Sequence, residues 1–165
     1  MVGSLLLALL GLALFYFQNL VLYPYVHVRL LSLLVFAVGL RQPLGVAAAV
    51  AVPLGLLQDA YALTPLGLHL SGALILLATA RSFQRRLLLA GPGSQTLAAA
   101  GALALEEVFL RLTLAFVGLP ALPWRATGGV AILATALLAP LIFAGLKHTD
   151  LFLRRLGWRS LREQE

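Results

Sequence analysis

The chain has no cysteine, only six acidic residues, and few charges of any kind: Asp, Glu, Lys and Arg make up 11% of its 165 residues. Without cysteine there are no disulfides, no thiolate metal sites and no cysteine nucleophiles, while the redox compartment stays undefined. A soluble domain of this size carries about a quarter of charged residues, so a solvated globular surface is excluded as well. The sequence also contains no Walker loop, no Gly-x-Ser-x-Gly, no His-Glu-x-x-His and no stretch suited to binding a nucleotide. It has neither an internal repeat of clear period nor a long linker, so residues 1–165 read as a single domain. What fills the chain is apolar: 61% of residues are hydrophobic and the mean hydropathy is +0.98, the composition of an integral membrane protein.

Apolar windows run roughly from Gly3 to Leu22, Val28 to Leu40, Leu44 to Leu57, Leu66 to Ala80, Gln95 to Val117 and Thr127 to Leu146. They predict an all-α, polytopic bundle of about six transmembrane helices that uses nearly the whole chain. The second window is the shortest; it either extends upstream through Tyr23 to His27, lies obliquely, or is partly re-entrant where protein shields its backbone. The first has no basic n-region and no small-residue cleavage site before Tyr23, and is expected to be an uncleaved span. "SFQRRLLLAGPGS", Ser82 to Ser94, is expected to be the longest connection.

The basic residues set the orientation. Arg41, Arg81, Arg85, Arg86, Lys147, Arg154, Arg155, Arg159 and Arg162 fall on one side of this layout, and only Arg29 and Arg125 on the other. Basic flanks stay inside, so both termini are expected in the cytoplasm of a multi-pass inner-membrane protein. The formal charge of +6 follows from this asymmetry and from attraction to anionic membrane lipids, so no nucleic acid partner is implied. Residues 146–165 form a basic tail. Phe152, Leu153, Leu156, Trp158 and Leu161 alternate there with arginines, as in a helix lying in the headgroup layer or a fraying stop signal.

Charges inside an apolar span cost several kcal/mol or more unless paired, hydrated or neutralised. Glu106, Glu107 and Arg111 are the outstanding cases. Glu107 and Arg111 are spaced i to i+4 and share one helix face, where they can neutralise each other. Glu106 points about 100° away and must either be neutralised or face a group on another helix or chain. With the amino terminus inside, Asp59, His69 and Arg111 all approach the outer face. A polar cluster of Asp59, His69, Glu107 and Arg111 is expected in the outer half of the bundle, with Asp59 capping a helix at the interface. Alternatively, Asp59 and Thr64 only shape the turn, with Pro65 at a helix start, and Glu107 with Arg111 is a structural pair. Small residues such as Gly45, Ala47, Ala51, Gly101, Gly128 and Gly129 let helix backbones approach closely.

Two resemblances add to this. "EEVFLR" resembles the Glu-Glu-x-x-x-Arg motif of intramembrane CAAX-processing proteases, in which two glutamates and two histidines from other helices bind a metal or activate water. The later histidine motifs have no match: His148 follows Phe143 by five residues where the pattern has four, and His69 lies upstream. The stretch "QPLGVAAAVAVPLGLLQDAYALTPLGLHLSGALILLATARSFQRR" resembles the core of the rod shape-determining protein MreD family. A proline-initiated small-residue helix carries the likeness, together with Gly-x-x-x-Asp from Gly55 to Asp59, a short turn, and Leu66-Gly67 opening a helix that stops at basic residues. "YPYVHVRLL" departs from that pattern at His27 and Arg29.

The MreD resemblance implies a non-enzymatic scaffold without cofactors in the bacterial cell-elongation complex, which positions peptidoglycan synthesis along the side wall. MreC is the implied direct partner, with RodA, a class B penicillin-binding protein and MreB in the same complex. The family is also similar in fold to the S components of energy-coupling factor transporters. That likeness implies the alternative of a small-molecule-binding subunit with an outward pocket.

Overall fold

The computed structural model describes residues 2–22, 28–62, 65–86, 91–119 and 126–155, and among them it is helical with no strand. The elements are α1 (Val2–Tyr16), which runs on through π-helical turns at Phe17–Leu22, α2 (Leu30–Arg41), α3 (Leu44–Ala62), α4 (Leu68–Arg86), α5 (Pro92–Phe116), α6 (Ala126–Leu137) and α7 (Ala139–Arg155). α6 and α7 are two parts of one rod. Pro140 has no N–H to continue the ladder, and Leu138 instead bonds back to the Thr135 carbonyl at 3.1 Å before α7 resumes.

Three stretches are long and apolar enough to cross a membrane: Leu5–Leu22, Leu44–Ala62 and Gly128–Thr149. This fits a membrane protein. α4 and α5 have the length, at 19 and 25 residues, but carry arginines in the one and Glu106, Glu107 and Arg111 in the other. α2 is apolar yet only 12 residues long.

The shortness of α2 has a structural reason: it is the axis of the bundle. It contacts every other helix, and each residue from Leu30 to Leu40 is buried, including Phe36, Leu33 and Leu34 with no exposed surface. A helix that is apolar all round is a helix enclosed by protein. It begins at Leu30 rather than upstream, and residues 23–27 lie outside the described segments. Around it, α3 and α4 form a tight hairpin, α1 packs on α3, and α5 bridges α4 to α6 and α7. Large apolar side chains such as Leu5, Leu9, Leu97, Leu133 and Leu141 face outward on the perimeter, where acyl chains would contact them.

Glycines set the closest approaches. A Cβ on Gly55 would lie 2.8 Å from the Leu70 Cα, so only glycine lets the first turn of α4 rest against α3. Gly39 does the same for α2 against α4, where a Cβ would lie 2.8 Å from that of Ala80. At the basic end, α4 does not stop where its apolar window ends: Ser82 to Arg86 are helical, so the connection expected from Ser82 is shorter, and α5 starts at Pro92. α7 likewise runs on to Arg155, and residues 156–165 of the basic tail, with Trp158, lie outside the described residues.

Candidate functional site

α2 runs from Leu30 to Arg41, so its first residue stands about 16.5 Å from Arg41 at 1.5 Å per residue. Glu106 is 14 residues beyond Pro92 on α5, about 21 Å along its axis. Side-chain contacts bring these two levels together, and there a polar layer crosses the bundle. Glu107 lies between two arginines. Arg111, one turn further along α5, places Nε and Nη2 each 2.6 Å from Glu107 Oε1, and Arg29 donates Nη2 to Glu107 Oε2. Arg29 also brings Nη1 to 3.9 Å from Glu106 Oε2, while Ser32 on α2 donates its hydroxyl to Glu106 Oε1 at 2.9 Å. Glu106 and Glu107 are only 5% and 8% exposed.

Arg29 is itself fixed by its backbone. Its N–H donates to the Oγ1 of the fully buried Thr135 on α6 at 3.0 Å, and the Leu31 N–H donates to Gln18 Oε1 at 3.3 Å. Two of the N–H groups that start α2 are thus capped by side chains of neighbouring elements rather than by residues next to it in sequence. Glycines admit the layer to the packing. A Cβ on Gly72 of α4 would lie 3.4 Å from Glu106 Oε1, and one on Gly128 of α6 would lie 3.3 Å from Arg111 Nη2. The layer therefore ties the start of α2 to α5 by charge, holds α6 through a backbone hydrogen bond to Thr135, and brings α4 against it by shape.

Asp59 forms a second polar group, on the same half of the molecule. Its carboxylate is 2% exposed and accepts N–H bonds from Gly67 at 2.8 Å, His69 at 2.7 Å and Leu70 at 3.3 Å. These are orphan donors of the first turn of α4, so Asp59 is a helix cap delivered from the preceding helix. Gly67 holds φ at +96°, a left-handed conformation that a side chain would strain, and this aims its N–H at Asp59. Gly55, Asp59 and Gly67 make one device: the first permits the approach, the second binds, and the third turns the chain.

The four residues expected to cluster are thus distributed over two groups. Glu107 and Arg111 are in the ion-pair layer, and Asp59 is on the α4 terminus. His69 lies within reach of the charges of both Asp59 and Arg29, with its Nδ1 buried and without a hydrogen-bond partner. Glu106 faces other helices, as one of its two expected alternatives had it. Pro65 accepts from the Leu68 N–H at 3.1 Å, while Thr64 lies outside the described residues. Arg29, Ser32, Gln18 and Thr135 were not signalled as site residues. The available signal was Glu106, an acid left over once Glu107 and Arg111 had paired, which called for a cation on another helix.

A cleft of about 230 Å³ opens beside α4 and α5, lined by Pro65 to Leu68, Ser71, Thr113, Leu114 and Val117. Its two hydroxyls are bonded to their own helices, Ser71 to the Leu68 carbonyl and Thr113 to that of Phe109, so the lining is apolar in character. Among the described residues no group of three or more His, Cys, Asp or Glu could hold a metal ion. Glu106, Glu107, His69 and His148 accordingly do not assemble the two-glutamate, two-histidine set of the protease resemblance. No protein-family model matches the chain, and no curated protein or solved structure matches it.

Proposed function

We propose that the chain is a polytopic inner-membrane scaffold of the MreD type, a non-enzymatic part of the bacterial cell-elongation complex that binds MreC. RodA, a class B penicillin-binding protein and MreB belong to the same assembly in this reading. The observation that carries it is the Gly55–Asp59–Gly67 device, because the residues on which the family resemblance rests are the ones that lock α3 to α4. A motif with a coherent physical role is better support than the same letters in an unstructured stretch. In this reading α1, α2, α3, α4, α5 and the α6–α7 rod are six spans, with α2 short because protein surrounds it. The end carrying Arg41, Arg81 and Lys147 is cytoplasmic, as are both termini. Buried charges that hold helices to one another leave an apolar perimeter for a partner's membrane span.

The test is co-purification. Co-expressed with MreC, the protein is expected to be retained with it in mild detergent, and Asp59→Asn to weaken that retention while membrane insertion persists. Failure of the wild type to retain MreC would contradict the scaffold assignment. The cleft between α4 and α5 favours a second reading, an S-component-like subunit that takes a small ligand from outside. That reading requires tight binding of a small apolar molecule and dependence on an ATPase module.

A further inference from the structure

Arg81 differs from the other arginines for which partners are described. Arg29 and Arg111 both lie against Glu107, whereas no described carboxylate pairs with Arg81. Its Nη2 donates to the Gln42 carbonyl at 2.6 Å and its Nη1 to Gln84 Oε1 at 3.0 Å, both neutral acceptors, and its Nε is buried without a partner. A guanidinium has five N–H groups, so Nη1 and Nη2 each keep one beyond these bonds. The Gln42 carbonyl follows the carboxyl end of α2, and the negative end of that helix offsets only about half a unit of charge. Among the described residues the cation is thus fixed in place by neutral bonds with no anion paired to it.

Its surroundings add positive charge. Arg41 lies over the Phe143 ring at 5.3 Å, and the exposed Lys147 follows one turn later on α7. We infer that the junction of α2 and α4 at this basic end is a binding site for a phosphate group, supplied by an anionic phospholipid of the adjacent leaflet, with Arg81 as its fork. The planar guanidinium suits two phosphate oxygens at once, and its fixed position lowers the ordering cost of binding. Basic pockets between helices at a cytoplasmic face are the setting in which such headgroups are recognised. The inference rests on the membrane placement proposed above.

The full-length protein, purified in non-ionic detergent, is titrated with phosphatidylglycerol, cardiolipin, phosphatidylcholine and inorganic phosphate, and bound molecules are counted by native mass spectrometry. Anionic lipids are expected to bind about five- to ten-fold more tightly than phosphatidylcholine. Arg81→Gln is expected to remove that preference, and Arg154→Gln on the last turn of α7 to leave it. Arg81→Lys, which keeps the charge without the fork, is expected to retain part of it and decides the matter should the Gln variant not fold. Equal binding of anionic and zwitterionic lipid, or an unchanged preference in both Arg81 variants, overturns the site. Complete displacement of lipid by millimolar inorganic phosphate overturns the assignment to a lipid source. A wild type that stays monodisperse without detergent overturns the membrane placement instead, and is read before any lipid is added.

Discussion

Asp59 illustrates how much one carboxylate decides when the groups it meets are backbone N–H donors with no other partner. Three of them converge on it, and the carboxylate that receives them is itself buried. Asp59→Asn keeps one oxygen but turns an amide NH2 toward donors, so it is expected to lower stability by about 1–3 kcal/mol, measured as thermal unfolding in detergent. An unchanged unfolding temperature would show that water caps α4 equally well. The role of Asp59 was legible at this scale, since an acid after an apolar run and before a Pro-Leu-Gly turn signals a cap. Which helix it caps was not, because the sequence does not say that α4 folds back against Gly55. Arg29 was less legible still. It stands among residues that look like a loop, and its depth becomes evident only once α2 is known to begin at Leu30 beneath the ends of its neighbours.

Elements were legible where hydropathy alone decides and obscure where charge and helix coexist. The apolar windows locate the helices, but they stop α4 at Ala80 although the helix continues through Arg86, since a helix does not end where its lipid contact ends. α2 shows the converse. Its window is too short for a free span, and every other helix packs around it. Glycine has an equally local meaning. Gly55→Ala is expected to cost about 1–3 kcal/mol because its Cβ would meet backbone at 2.8 Å, which cannot rotate away. Gly101→Ala on α5, where nothing lies within 4 Å, is expected to be neutral or to gain up to about 1 kcal/mol from helix propensity. Thermal unfolding of the two variants side by side checks this, and equal losses would contradict the packing given to the α3–α4 hairpin.

At the scale of the molecule, the proposed orientation rests on the asymmetry between an end rich in basic residues and an end with few of them. Having no native cysteine, the protein is a clean background for single introduced thiols. Cysteines at Ser94 and Ser160 are expected to react with an impermeant maleimide only from the cytoplasmic side, and one at Gly118 only from outside. Labelling of Ser94 and Ser160 positions from opposite faces would contradict the six-span layout. Composition pointed to a membrane protein from the start, and three stretches long and apolar enough to cross a membrane fit that. The ion-pair layer that holds the bundle together was only half legible, because residues far apart in the chain carry it: Arg29 and Glu107 are 78 positions apart.

That layer also offers the most direct test of the account, whose central claim is that the deep charges bind helices to one another. Arg29→Gln, Glu107→Gln and the double variant, compared with the wild type by thermal unfolding in the same detergent, form a double-mutant cycle. Arg29→Gln leaves Glu107 with Arg111 alone, and Glu107→Gln leaves two arginines without the carboxylate between them, so each is expected to be destabilised, by about 1–3 kcal/mol. The double variant should lose less than the sum, with a coupling of at least about 1 kcal/mol. Additive losses would contradict the claim that Arg29 and Glu107 hold α2 to α5.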